Sequence, residues 1–228
     1  MVSFRSHLAA RFAVTALLAA NVVRAADTDA VLNGWFAAQN GVHSISADFT
    51  QTRTLKTLVQ PLIAHGHLWF APPDQFRWEL GHPAQTIALR HGDDMYIVYP
   101  RLKRAEHYPL GSSAPREWRD AMALLDVGFP RTRQQFDAQF QVRSMTQTNG
   151  DWLLKLEPRQ ASARQFMPEL GLFLAQGNYG LAGTELTFID GSTMKNLFDH
   201  TMTNAPVDEK MFQWHPPAGY TVTEPFSK

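Results

Sequence analysis

The feature that most restricts the fold of this chain is the stretch of residues 49–80, which reads as three consecutive β-strands. Its last segment, Gln75–Leu80, alternates strictly between polar and apolar residues, so that Phe76, Trp78 and Leu80 share one face. This period of two is typical of a strand with one face buried and the other in water. The chain must therefore cover a large aromatic sheet face with another apolar layer.

Short segments with strand character continue along the chain and are separated by turn residues. They are predicted at residues 44–50, 66–70, 75–80, 86–90, 95–99, 104–110, 136–143, 152–157, 185–190, 193–203, 211–214 and 220–223. Residues 158–182 are apolar but contain proline and glycine, which leaves a strand, a short helix or both open. A sheet of ten or eleven such strands tends to curl. The predicted fold is mainly β (α+β), with a single curved antiparallel sheet.

Two segments have helical rather than strand periodicity. Residues 27–39 carry an apolar stripe at spacings of three and four residues. Residues 115–127 begin with a proline and place Trp118, Met122 and Leu125 on one side. A curled sheet needs its concave face filled by side chains, a helix or a ligand, and these two helices are suited to that place.

The first 25 residues have the features of a secretory signal peptide. They contain Arg5 and Arg11, no acidic residue and the apolar run Phe12–Val23, which is shorter than the ~20 residues of a transmembrane helix. The chain has no cysteine, so neither a disulfide nor a lipid-attachment cysteine is available. We expect an exported, soluble protein whose single domain spans residues 26–228.

Charge and motifs exclude several classes of function. Removal of residues 1–25 takes away three arginines and leaves 18 basic against 21 acidic residues, a net charge of −3 that does not suit nucleic acid. The sequence contains no G-x-S-x-G, H-E-x-x-H, Walker or G-x-G-x-x-G motif, and without cysteine it has no thiol nucleophile. His65 and His67 would share one strand face, either as a solvent-facing pair or as the start of a zinc site in an exported metal-dependent hydrolase. We expect no enzyme, no metal site and no cofactor.

Several short motifs occur in a recognisable order. They are F-T-Q at residues 49–51, G-H-L-W-F at 66–70 with prolines soon after, F-R-W at 76–78 and, near the end, P-V-D at 206–208, Phe212 and P-P-A-G-Y-T-V at 216–222. This order resembles the periplasmic outer-membrane lipoprotein carriers of Gram-negative bacteria, the LolA family and its relative LolB. Because LolB-type acceptors are themselves lipoproteins, the absence of cysteine favours the LolA-type carrier.

The resemblance implies an incompletely closed barrel under a helical lid, with an apolar cavity that receives the acyl chains of lipoproteins. A monomeric periplasmic carrier would take them from an inner-membrane ABC transporter to a LolB-like outer-membrane acceptor. A carrier of another amphiphile, such as a glycolipid or a polyene lipid, remains an alternative with the same fold. The candidate residues of the cavity and lid are Phe49, Leu68, Phe70, Phe76, Trp78, Leu80, Leu89, Ile97, Trp118, Met122, Leu125, Phe140 and Leu154.

One position departs from the resembled family. Its well-known members place an arginine just before the proline that follows the Leu-Trp pair, and that arginine latches the lid. Here the position is Pro72, so the latch is missing or is supplied by another residue such as Arg77 or Arg90.

Overall fold

One twelve-stranded sheet forms most of the molecule in the computed structural model, which describes residues 25–111, 114 and 132–225. The strands are β1 (Ile45–Thr54), β2 (Leu62–Ala71), β3 (Gln75–Leu80), β4 (Thr86–His91), β5 (Asp94–Tyr99), β6 (Arg104–Pro109), β7 (Phe140–Thr148), β8 (Asp151–Pro158), β9 (Glu169–Ala175), β10 (Leu181–Thr187), β11 (Thr193–Thr203) and β12 (Thr221–Thr223). Their order across the sheet is β12-β6-β5-β4-β3-β2-β1-β11-β10-β9-β8-β7. The two end strands, β12 and β7, do not pair, so the sheet stays open, as expected for an incompletely closed barrel.

The described helices are few and short. They are α1 (Ala25–Gln39), α2 (Arg133–Gln139), α3 (Ala161–Arg164) and two 3-10 helices at Pro100–Leu102 and Glu209–Phe212. The sheet is antiparallel except at one place, where β12 pairs in parallel with β6. The mainly-β prediction is confirmed, with twelve strands instead of ten or eleven and with this one parallel pair.

Two predicted strands are wrong. Residues 136–143 do not form one continuous strand, because Thr132 caps α2 by accepting a hydrogen bond from the Gln135 backbone N–H at 3.1 Å, and β7 begins only at Phe140. Residues 211–214 do not join the sheet either. There, the Asp208 side chain accepts from the Lys210 N–H and caps a 3-10 helix.

Other predictions are resolved or fall elsewhere. The ambiguous segment 158–182 contains both a helix and a strand, α3 and β9. The signal peptide at residues 1–25, apart from Ala25, and the helix at 115–127 lie outside the described residues.

The sheet has two faces with different coverings. We call the face that carries α1 the inner face and the opposite one the outer face. On β7–β10 the inner face packs against α1 and α2, in a cluster that includes Trp35, Phe136 and Leu154. On β1–β3 it carries a second apolar cluster. The outer face of β4–β6 has a third cluster, closed by Trp214 and Tyr220 from the C-terminal segment.

Candidate functional site

The inner face of β1–β3 gathers six of the predicted cavity residues. In the β2–β3 register, Phe70 lies opposite Phe76, Leu68 opposite Trp78 and Gly66 opposite Leu80, so their side chains point to the same side. Phe49, Leu68 and Phe70 are buried, and Phe76, Trp78 and Leu80 pack against them while still half-exposed. The structure therefore brings together Phe49, Leu68, Phe70, Phe76, Trp78 and Leu80.

Aromatic contacts fix this group. The rings of Phe49 and Trp78 have centroids 4.0 Å apart, and the Phe198 ring of β11 meets Trp78 edge-on at 6.1 Å. Phe198 lies opposite Phe49 across the β1–β11 pair. The apolar surface therefore continues without a break from β3 to β11.

Phe140 and Leu154 lie farther along the inner face, beneath the helices. Both are completely or almost completely buried in the cluster that α1 closes. Trp35 of α1 is also fully buried there and meets the Phe136 ring edge-on, with centroids 5.6 Å apart. These contacts hold α1 against the inner face, where a lid was predicted.

Between α1 and the sheet lies a cavity of about 350 Å³. Ligand sites in proteins commonly measure about 300–1,000 Å³. Its wall joins the two inner-face clusters, since Trp35 comes from one and Ala47 and Leu68 come from the other. The apolar side chains of the wall are Trp35, Ala38, Val42, Ile45, Ala47, Leu68, Ala175, Tyr179, Leu181, Ala182 and Phe198.

Polar groups of two kinds accompany this apolar surface. Gln51 and Asn196 are buried on the inner face and join side chain to side chain at 3.0 Å, and Asn196 also donates to the Thr184 hydroxyl at 3.2 Å. By contrast, the indole nitrogen of Trp35 and the amide nitrogen of Gln39 are buried without a hydrogen-bond partner in the described part of the chain. Both of these last residues line the cavity.

Two further residues predicted to line the cavity, Ile97 and Leu89, lie on opposite faces of the sheet. Ile97 lies opposite Ala88, which in turn lies opposite Trp78, so Ile97 shares the inner face. Leu89 pairs with Arg77 and points to the outer face, where it is buried with Val98. Its assignment to the cavity is therefore wrong, because adjacent residues of a strand point to opposite faces.

The lid residues and the arginines have different outcomes. Trp118, Met122 and Leu125 lie outside the described residues. Arg77 lies on the outer face, where it donates to Glu79 at 2.6 Å and to the Met211 carbonyl at 3.0 Å, so its side chain points away from the face that carries α1. Arg90 shares the face of Phe76 and donates to the Gly92 carbonyl at 3.0 Å.

The outer face of β1 and β2 carries the two histidines considered as metal ligands. His65 bonds the Thr50 hydroxyl at 3.1 Å, whereas His67 lies between the Ser46 hydroxyl and Asp48, at 2.7 Å from each. The hydrogen bond from His67 is the main cause that lowers the pKa of Asp48. Among the described residues, no three histidine, aspartate or glutamate side chains are arranged to hold a metal ion.

Sequence reasoning missed several cavity residues. The sequence indicates Trp35 only as part of a helical stripe, and Tyr179 lies in the ambiguous segment 158–182. Tyr179 packs its ring against α1 at Gly34, where a methyl group would come within 2.8 Å of the ring. The helical stripe at residues 27–39 was the available signal for this wall of the cavity.

Comparison with known proteins agrees with this geometry. The sequence profile of the family described as outer membrane lipoprotein carrier protein LolA matches residues 40–215. An outer-membrane lipoprotein carrier protein of Methylococcus capsulatus is 25% identical over 185 residues, which cover 81% of this chain and 83% of that protein. A protein of the same name from Coxiella burnetii is 23% identical over 163 residues, 71% of each chain.

Among solved structures, an uncharacterized conserved protein from Thermus thermophilus has the same fold. It superposes with a TM-score of 0.50 at 8% identity and covers 87% of this chain and 99% of its own. No described helix combines the length and apolar character that are needed to cross a membrane. Because the family profile matches most of the sequence, this chain belongs to the LolA family of outer-membrane lipoprotein carrier proteins.

Proposed function

We propose that this protein is a monomeric periplasmic carrier, which shields the acyl chains of lipoproteins between the inner and the outer membrane. The observation that carries the proposal is the cavity of about 350 Å³ between α1 and the inner face, in a chain of the LolA family. An inner-membrane ABC transporter would be the donor, and a LolB-like protein would be the acceptor.

Carrier action sets a thermodynamic requirement that this cavity can meet. Each methylene group that leaves water contributes about 0.8 kcal/mol, whether it enters a bilayer or a protein cavity. The cavity must therefore offer a free energy close to that of the membrane, so that the chain can both enter and leave. A partly open wall between two packed clusters is suited to this balance, since cargo replaces empty space and not core side chains.

The proposal is tested by filling the cavity from the sheet side. Ala182 lines the cavity, so the larger side chain of Ala182→Phe should occupy part of it. We expect this variant to bind a fluorescent fatty acid, and the acyl ligands that displace it, more weakly than the wild type. Ala71→Phe is the matched control, because Ala71 lies on the outer face of β2 and does not line the cavity. Equal binding by both variants, each folded by circular dichroism, would refute the carrier site.

The identity of the cargo needs a separate measurement. Lipids extracted from protein purified from the periplasm would be identified by mass spectrometry. Acylated lipoprotein fragments would support the proposed cargo. A glycolipid or a polyene lipid would instead support the alternative carrier function on the same fold.

A further inference from the structure

Exposed apolar side chains are concentrated where β1 turns into β2. We call residues 54–63 the hairpin tip. Within it, Val59 is fully exposed, and Leu62 and Ile63 are more than half exposed. Folded proteins seldom expose several large apolar side chains next to one another, and a patch of this kind marks a site of interaction with a protein or a membrane.

The hairpin tip projects beyond the neighbouring strand. β2 pairs with β3 only from Gly66 onward, so the segment from Leu62 to Ala64 extends about 10 Å past the end of β3. On its other side, β11 supports β1 as far as Thr54. The tip is therefore a protrusion with a supported base and not a groove.

Two further exposed apolar residues lie beside the tip. A methyl group at Gly191 would come within 2.7 Å of Lys56 Nζ, so the tip packs along the turn between β10 and β11. In this turn, the Ile189 N–H donates to the Phe166 carbonyl at 3.1 Å, and both of these residues are more than half exposed. Apolar side chains from three chain segments are thus gathered at this end of the sheet.

The charge of the hairpin tip restricts the kind of partner. Arg53 and Lys56 are exposed, and the sequence has no acidic residue from Phe49 to Pro73. Asp190 faces the tip from the adjacent turn, where hydrogen bonds from Ser192 and the charge of Lys56 lower its pKa. Two cations against this one carboxylate leave an excess of positive charge. Exposed apolar side chains flanked by cations are the chemistry that an anionic lipid surface attracts.

From these observations, we propose that the hairpin tip docks on the surface of a membrane that contains anionic phospholipid. Leu58 and Val59 enter the acyl-chain region, and Arg53 and Lys56 lie at the level of the phosphates. A lipid surface is favoured over a protein, because an apolar protrusion needs a matching pocket in a protein but only displaces fluid chains in a bilayer. The contact is weak and reversible, since few side chains enter the membrane.

This inference goes beyond the proposed carrier function and does not depend on it. Ile45 and Ala47 line the cavity at one end of β1, whereas Thr54, at the other end, lies about 30 Å from Ile45 along the strand. Changes in the tip should therefore leave the binding of a fluorescent fatty acid in the cavity unchanged.

The test is flotation of the mature protein with vesicles of phosphatidylethanolamine and phosphatidylglycerol. We expect binding at low salt that weakens at high salt. Val59→Asp should reduce the affinity for these vesicles at least about tenfold, the contribution of one buried valine side chain, and Lys56→Gln should reduce it about fivefold. The matched controls Met202→Asp and Lys210→Gln change exposed residues outside the tip and should bind like the wild type.

A label at the tip reports insertion directly. The chain has no cysteine, so Val59→Cys can be labelled specifically with an environment-sensitive fluorophore. Its emission should shift to shorter wavelength on vesicle binding and be quenched by lipids that carry bromine on their acyl chains. The control label is placed at Met202→Cys, which pairs with Ser46 at the other end of β1 and should show neither change.

Each failure has a distinct meaning. Unchanged vesicle binding by Val59→Asp, or an equal response of the labels at positions 59 and 202, would refute docking through the tip. A concentration-dependent dimer that Val59→Asp disrupts, without vesicle binding by the wild type, would make the tip a self-association surface and refute the lipid proposal. If the wild type binds fatty acid but no vesicles, the docking is refuted and the carrier function stands.

Discussion

Any side chain larger than hydrogen at position 66 should lower the stability of the protein, and Gly66→Ala is the most direct test of how the inner face is packed. A methyl group at this position would overlap the carbonyl oxygen of Glu79 in β3, and it would also overlap the Phe49 ring, coming within 2.7 Å of Phe49 Cε1. The ring can move only by giving up its contact with Trp78, whose centroid is 4.0 Å away. The carbonyl belongs to the β2–β3 ladder and cannot move without weakening it.

These contacts set the magnitude. Overpacking of this kind costs about 1–3 kcal/mol, and loss of the aromatic pair adds about 0.5–1.5 kcal/mol. We expect the free energy of unfolding to fall by about 2–4 kcal/mol, which for a chain of this size lowers Tm by roughly 4–16 °C. Acyl-ligand binding should fall as well, because Phe49 and Trp78 would no longer present one continuous surface.

The assay is thermal and urea unfolding, followed by circular dichroism, with Gly177→Ala as the matched control. A methyl group at Gly177 would meet no atom of the described residues within 4 Å, so this variant should remain within about 0.5 kcal/mol of the wild type. If Gly66→Ala melts within about 1 °C of the wild type, the close approach of β1, β2 and β3 at this residue is wrong.

Three further predictions concern other parts of the molecule. The hydrogen bond from His67 lowers the pKa of Asp48 in the folded protein, so the stability that Asp48 contributes is present above its unfolded pKa and is lost as pH falls through its folded pKa. Asp48→Asn should therefore lose less stability than the wild type between about pH 6 and pH 3, measured by urea unfolding. Equal losses in the two proteins would contradict this prediction. Leu154→Ala should cost about 2–5 kcal/mol by urea unfolding, because Leu154 is fully buried, and a cost below about 1 kcal/mol would argue against the packing under α1. Arg77→Met should increase hydrogen exchange around Met211, whose carbonyl Arg77 binds, whereas unchanged exchange would show that this bond does not hold the C-terminal segment.

Local patterns were sufficient for the strands that carry them. The alternation at Gln75–Leu80 predicts both the existence of β3 and the common side of Phe76, Trp78 and Leu80, and the register with β2 confirms that shared side. The hairpin at residues 185–203 was also predictable from the turn residues Asp190-Gly191-Ser192. In the structure, Gly191 has a positive φ of 78° in the turn that joins β10 and β11. In these segments, the information lies within a few neighbouring residues.

Contacts between distant residues account for the errors. The four-residue spacing of Phe136 and Phe140 fits a helix and a strand equally well. In the structure, Phe136 belongs to helix α2, where its buried ring contacts Trp35 of α1. Leu89 was assigned to the wrong face of the sheet. The outer face on which it lies is covered by Trp214, which is more than a hundred residues away in the sequence, so the sequence around Leu89 does not show this covering. The two unpaired donors of α1 could not be predicted, because they are defined by the absence of nearby acceptors among the described residues.

The parallel pairing of β12 with β6 has a consequence for self-association. Without β12, the strand Arg104–Pro109 would present a free row of backbone donors and acceptors, and such an edge is a template for the strand of another molecule. The three residues of β12 occupy the start of that edge, and the Thr221 N–H bonds the Lys103 carbonyl at 2.9 Å. A chain that ends before Thr221 would keep its cavity but expose this edge. We therefore expect truncation before Thr221 to promote strand-mediated aggregation at concentrations where the chain that retains β12 stays dispersed.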